Sequence, residues 1–285
     1  MSYLFPYLDY YPTANYWNDP LRWLTQANEL MNYLNRYFPN TDIDGTSAAD
    51  NLNGTYDSES IYGFEGDDSL NGGTGIDTLI GGTGNDTYII DSTTDTITEL
   101  PNEGSDKIQS SVSLSIATVD NVENLVLTGT SRINGTGNSL NNAIIGNIAN
   151  NKLNGGSGND KLNGSKGDDI LIGGAGKDNL TGGLGKDTFD FNAYSEIGLG
   201  TTKRDVITDF TRGQDKIDLS SIDPNTALAG NQAFKFITTP FNAPGQLHYS
   251  NGIISINTDT DSATEYEIQL TGVIPTTLAA TDFVL

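Results

Sequence analysis

The sequence predicts an all-β protein: a right-handed parallel β-roll, or β-helix, with a short N-terminal helical cap and a C-terminal β cap. Glycine returns every ninth residue over two long stretches, with an acidic or amide residue five places later and an apolar one two places beyond that. A fixed phase of this kind is the signature of stacked repeats. The chain of 285 residues carries 37 acidic against 14 basic residues, a net charge of −23, while only 35% of it is hydrophobic. Such a composition stays disordered unless something other than a large core supplies folding energy. Strands bounded by turn residues fill the remaining segments.

Charge and composition also exclude. A strongly negative chain is repelled by nucleic acid and by anionic membranes, so neither is expected as a partner. With no cysteine, disulfides, thiolate metal sites and a cysteine nucleophile are impossible. No apolar run reaches about 18 residues, so no membrane insertion is expected. Met1 to Tyr16 is aromatic and acidic, unlike a secretory signal peptide.

Residues 1–44 form the N-terminal cap. Asp19 and Pro20 cap and open a helix; Leu24, Ala27, Met31, Leu34 and Phe38 follow at helical spacing, and Pro39 stops it, giving a helix at about 20–38. Around it lie Tyr3, Phe5, Tyr7, Tyr10, Tyr11, Tyr16 and Trp17. They serve either to cover the open end of the coil, as solenoids require, or as a docking surface.

Residues 45–89 are the first repeat block. Gly45, Gly54, Gly63, Gly72 and Gly81 keep the nine-residue step, followed by Asp50, Glu59, Asp68, Asp77 and Asp86 and by Leu52, Ile61, Leu70, Leu79 and Tyr88. No lysine or arginine occurs between Arg36 and Lys107, so these carboxylates lack local countercharge. Residues 137–190 repeat the pattern with Gly137, Gly146, Gly155, Gly164, Gly173 and Gly182. Their sixth positions are Asn142, Asn151, Asp160, Asp169, Asp178 and Asp187, and their apolar ones Ile144, Leu153, Leu162, Leu171, Leu180 and Phe189.

The spacing has a chemical reason. Glycines let the chain turn sharply so that its carbonyls converge, and the aspartate adds a carboxylate. A hard cation such as calcium takes six to eight oxygens of this sort. Two nonapeptides make one coil, so loops eighteen residues apart stack at about 4.8 Å. An ion then sits between Asp50 and Asp68, Glu59 and Asp77, Asp68 and Asp86, Asp160 and Asp178, or Asp169 and Asp187. The earliest rungs of each block depart from the pattern, with Ala48 in a glycine position and Asn142 and Asn151 in place of aspartate, and they are expected to form coil without metal.

The unit Gly72-Gly73-Thr74-Gly75-Ile76-Asp77-Thr78-Leu79-Ile80 and its copies resemble the RTX, or hemolysin-type, calcium-binding nonapeptide of secreted bacterial toxins, proteases and alginate epimerases. The resemblance implies a ligand set. One loop gives the carbonyls of its second and fourth residues and its acid; the stacked loop gives those of its first and third residues and its own acid. The first implied site is Phe64, Gly66, Asp68, Gly81, Thr83 and Asp86. The second is Gly156, Gly158, Asp160, Gly173, Ala175 and Asp178, and the third Ser165, Gly167, Asp169, Gly182, Leu184 and Asp187. A fourth, Thr55, Asp57, Glu59, Gly72, Thr74 and Asp77, departs from the glycine pattern in its first loop.

Residues 90–136 read as linker coils that continue the roll without metal, with strands at Thr96–Thr98, Lys107–Gln109 and Asn124–Leu127. Gly81 to Gly137 is not a multiple of nine, so the register slips there. Residues 191–285 lose the repeat. Asp205-Val206-Ile207-Thr208-Asp209-Phe210, the run Asp215 to Leu219 and the ending Asp282-Phe283-Val284-Leu285 resemble the C-terminal domain of serralysin-type metalloproteases. That resemblance implies an uncleaved type I secretion signal, the type I export machinery as a partner, and an extracellular location. Asn257, Asp259 and Asp261 read as a solvated turn, as does Gly213-Gln214-Asp215.

The single histidine, His248, rules out a His-Glu-x-x-His zinc site within this chain, and no Gly-x-Ser-x-Gly elbow occurs. The expectation is a non-catalytic, secreted calcium-binding protein with a structural or surface role. Two alternatives remain: a carbohydrate-binding accessory module like those of alginate epimerases, presenting Lys161, Lys166, Lys177 and Lys186, and a remnant of a larger exoenzyme.

Overall fold

The computed structural model describes residues 42–225, 230–272 and 277–285. The helix expected over 20–38 and its aromatic neighbours lie outside the described residues.

The described chain is a parallel β-solenoid. One face is a 13-stranded sheet. It begins with Asn51–Asn53, Ser69–Asn71 and Thr87–Ile90 and runs through Lys107–Ser110 and Asn124–Leu127. It goes on through Ala143–Ile145, Lys161–Asn163, Asn179–Thr181 and Asp205–Ile207. The other strands fall into two further sheets. The four-stranded one comprises Asp42–Asp44, Ser60–Glu65, Thr78–Thr83 and Thr96–Thr98. A seven-stranded one starts afresh at Leu114–Ser115 and ends at Phe283–Val284. Pairing inside the arrays follows the expected step: Ile61 lies beside Leu79, Leu70 beside Tyr88, and Leu162 beside Leu180.

Glycine turns force this alternation. Each turn is followed by a strand of a few residues, whose middle side chain points inward because successive Cβ atoms alternate faces. Ile61, Leu70, Leu79, Ile144, Leu153, Leu171, Leu180 and Phe189 are fully buried, and residues from all three sheets join one apolar cluster. Leu52, on the first rung, is only half-buried. One buried apolar side chain per nine ordered residues is a thin core against the entropy of ordering them.

Beyond the second array the polarity changes. Tyr266–Leu270 joins the long sheet in parallel beside Asp205–Ile207, and Ile253–Asn257 and Gln246–Ser250 then add as antiparallel neighbours. His248 lies in this last segment with its ring edge-on to Phe241.

Candidate metal centres

Each aspartate of the arrays has two different jobs for its two oxygens. One oxygen holds the coils together: Oδ1 of Asp68, Asp86, Asp160, Asp178, Asp169 and Asp187 accepts the backbone N–H of the residue eighteen positions earlier, at 2.6–2.9 Å. Asp77 does the same for Glu59 at 2.9 Å. The other oxygen has no partner. Oδ2 of Asp68, Asp77, Asp86, Asp160, Asp169, Asp178, Asp187 and Asp205 is buried and makes no hydrogen bond. A buried carboxylate oxygen left unpaired costs several kcal/mol by order of magnitude. Eight aspartates carry such an oxygen among the described residues, and a cation would relieve them.

The carbonyls aim at the same places. A Cβ on the first glycine of a turn would strike the Oδ2 of its own loop, and at Gly63, Gly155 and Gly164 it would also lie 2.5 Å from the Gly81, Gly173 and Gly182 carbonyls of the stacked loop. Glycine there leaves room for two converging oxygens. The carbonyls of the second and fourth residues point back toward the stacked loop: Phe64, Gly156 and Ser165 toward Gly82, Gly174 and Gly183, and Gly66, Gly158 and Gly167 toward Gly84, Gly176 and Gly185. The second position needs a left-handed backbone. Gly82 and Gly174 have φ of +93° and +92°, and Phe64 and Ser165 adopt +78° and +73° despite their side chains. The third-position carbonyls of Thr83, Ala175 and Leu184 each accept the N–H of Gly66, Gly158 and Gly167 at 2.8–2.9 Å, which leaves one lone pair apiece.

The loops that carry the first three ligand sets implied by the sequence are stacked on one another, and each contributes a buried carboxylate oxygen without a partner. In the fourth, Thr55 and Asp57 carbonyls face Gly73 and Gly75, and the Gly72 carbonyl reaches Gly54. Glu59, however, turns its longer carboxylate onto its own loop, accepting the Thr55 hydroxyl at 2.5 Å and the Thr55 N–H at 3.2 Å. That site has an orphaned oxygen only from Asp77.

Burial raises the pKa of these carboxyls, and the neighbouring carboxylates add to it. Asp160 and Asp169 are pushed up to about 7, and Asp86, Asp178 and Asp187 to about 6. Asp68 and Asp77 move in the same direction for the same main reason.

Asparagine marks rungs that satisfy themselves. Asn142 and Asn151 put Oδ1 where the aspartates put Oδ2, accepting the N–H of Asn138 and Asn147 at 2.8 Å. Their amide groups donate to the carbonyls of Val122 and Glu123 and of Ile133. The NH₂ group thus supplies the positive end that a cation supplies elsewhere. We expect Asn151→Asp to lower stability in chelator by about 1–3 kcal/mol, because the Ile133 carbonyl loses its donor and a new carboxylate oxygen is orphaned. Chemical denaturation measures this; an unchanged midpoint would refute it.

Sequence reasoning missed part of the carboxylate column. Asp205 is fully buried, accepts the Asp178 N–H at 2.7 Å, leaves Oδ2 unpaired and is pushed up to about 8 by burial. Asp215, read as a mere turn residue, accepts the Asp187 N–H at 3.0 Å and the Thr211 N–H at 2.6 Å, so both its oxygens close the column. Asp106 and Glu123 extend it through the linker, accepting the N–H groups of Asp86 and Asp106. No periodic signal marked Asp205: it follows Asp178 by 27 residues, one and a half of the eighteen-residue coils, and no Gly-Gly-x-Gly turn immediately precedes it. Asp259 and Asp261 are exposed and bond backbone N–H groups of their own loop, as in a solvated turn, but Asn257 is fully buried and its amide donates to the Asp261 and Ala263 carbonyls, so that end of the turn is anchored in the interior.

A parallel β-roll with glycine turns, gathered carbonyls and orphaned carboxylates defines the class: an RTX-type repeat protein, built as a calcium-binding repeat module is. The chain belongs to the Peptidase M10 serralysin C-terminal family, whose profile matches residues 51–285. Two solved structures similar to it are the AlgE6R3 and AlgE6R2 subunits of the Azotobacter vinelandii mannuronan C5-epimerase. Each is 28% identical with a TM-score of 0.39 over 55% of this chain, covering 82% and 94% of those chains. The extracellular lipase LipA from Serratia marcescens is 16% identical with a TM-score of 0.32, over 86% of this chain and 40% of the lipase. No curated protein matches the chain.

Proposed function

We propose that the chain is a non-catalytic, secreted calcium-binding module whose folding and calcium binding are one equilibrium. The eight unpartnered, buried Oδ2 atoms carry this reading, because a divalent ion is the group that fits between oxygens gathered from two loops. The ligands are those of the three complete sites: Phe64, Gly66, Asp68, Gly81, Thr83 and Asp86; Gly156, Gly158, Asp160, Gly173, Ala175 and Asp178; and Ser165, Gly167, Asp169, Gly182, Leu184 and Asp187. Glu59, Gly72, Thr74 and Asp77 hold a weaker fourth. A bound ion supplies charge neutralisation and ties adjacent coils; the chain's own residues do the rest.

Export fits the same equilibrium. Asp282 and Phe283, in the segment similar to a type I secretion signal, are buried in the folded roll, with Asp282 paired to Arg212 at 3.2 Å and Phe283 beside Ile217. Such a signal is readable only before folding. Low calcium inside the cell keeps the carboxylates repelling one another, and millimolar calcium outside closes the loops.

The test is the number of calcium ions per chain by native mass spectrometry, with the wild type compared with Asp160→Asn and Asp178→Asn. We expect several ions on the wild type at millimolar calcium and fewer on each variant. A wild type without bound ions would overturn the proposal.

A further inference from the structure

At the end of the first array the repeat breaks in an unusual way. Eighteen residues beyond Gly81 the coil phase calls for another glycine, and Glu99 stands there instead. Its loop still stacks on the one before: the Gly84 N–H donates to the Glu103 carbonyl at 2.6 Å, and the Asp86 N–H to Asp106 Oδ1 at 2.8 Å. Tyr88 occupies the apolar position of the rung, and its hydroxyl accepts the Gly81 N–H at 2.8 Å while donating to Glu99 Oε1. This brace holds Glu99 in the interior.

Asp86, Glu99 and Asp106 are 1%, 6% and 1% exposed, and one carboxylate oxygen from each lies within 4.8 Å of the others. Asp86 Oδ2 and Glu99 Oε2 are buried with no hydrogen-bond partner. Neither of the ion pairs among the described residues, Arg204–Glu267 and Arg212–Asp282, reaches them. Three converging carboxylates without a cation repel strongly at this separation.

We propose that Asp86, Glu99 and Asp106 hold a divalent cation of their own, a calcium site of three carboxylates that closes the first array. It shares Asp86 with the last repeat site of the first array and differs from the repeat sites in drawing Glu99, at a glycine position, as a third carboxylate. Oxygen-only ligands select a hard ion. The location gives it a purpose: Thr96–Thr98 is the last strand of the four-stranded sheet, and the loop that follows must be pinned before the seven-stranded sheet begins. The inference rests on the functional reading only in that the chain meets calcium.

Glu99→Gln is the decisive variant. Glutamine keeps an acceptor for the Tyr88 hydroxyl and mimics a protonated acid. We expect it to carry one calcium ion fewer than the wild type by native mass spectrometry, and to melt at a lower temperature in calcium but not in chelator. Asp106→Asn, which keeps the acceptor for the Asp86 N–H, should lose the same single ion. If shared protons hold the cluster, both variants retain the wild-type ion count and Glu99→Gln melts no lower in calcium; that result overturns the site while leaving the repeat sites standing. A wild type with no ion at all overturns both readings.

Discussion

Acid should strengthen the metal-free protein and weaken the calcium-bound one. In the folded, metal-free chain burial raises Asp160 and Asp169 to about 7, Asp178 and Asp187 to about 6, and Asp205 to about 8. In the unfolded chain the same groups titrate near about 3.9. The folded state therefore binds more protons between these limits. Its proton-linked stability is fully present below about pH 4 and is lost as the pH rises through 6 to 8. On the proposed function, calcium should reverse the dependence. The ion binds the ionised carboxylates, protons compete with it, and affinity falls as the pH drops through the same range. Thermal melts followed by circular dichroism from pH 4 to 8, in chelator and in excess calcium, should give curves of opposite slope that approach each other at low pH. Parallel curves would mean that these aspartates do not exchange a proton for an ion.

Gly176→Ala is expected to be among the most damaging single substitutions in the roll. Gly176 has φ of +142°, a conformation that essentially only glycine adopts. A Cβ there would also run into the carbonyl oxygen of Gly158 in the stacked loop. That oxygen is backbone, on the residue that follows the strand Lys152–Ser157, and the Gly158 N–H is tied to the Ala175 carbonyl at 2.9 Å, so the peptide has little room to turn away. Gly213 separates the two effects: its φ is +81°, yet nothing lies within 4 Å of its would-be Cβ. Gly213→Ala should cost about 1 kcal/mol, from backbone strain alone. Gly176→Ala should cost at least about 3 kcal/mol, from strain plus a clash that forces adjacent coils apart. It should also reduce calcium affinity, because the Gly158 carbonyl is one of the ligands proposed for the Asp160–Asp178 site. Equal losses in the two variants would show that stacking contributes nothing beyond turn geometry.

The contrast between Asp178 and Asp205 shows how far the site could be read in advance. Asp178 sits in an intact nonapeptide, and its partner eighteen residues earlier is given by counting. Asp205 does the same work for Asp178 but is reached through an irregular insertion, Asn192 to Arg204, with no glycine phase to announce it. The strands at Thr96–Thr98, Asn124–Leu127 and Tyr266–Leu270 were legible from apolar alternation. That one face stays paired across the register slip while the other splits into two sheets was not. Linker coils of unequal length can keep one face in register only by letting the opposite face break.

What the residues determined alone was the local part: the sign of φ at each turn, the inward apolar column and the carboxylate at each sixth place, since all three depend on neighbours within nine positions. Tertiary structure decided how each carboxylate divides its two oxygens, how the asparagine rungs satisfy themselves, and that Glu99 meets Asp86 and Asp106. Those outcomes depend on hydrogen bonds across adjacent coils, whose lengths vary wherever the repeat is interrupted, and no local pattern encodes them.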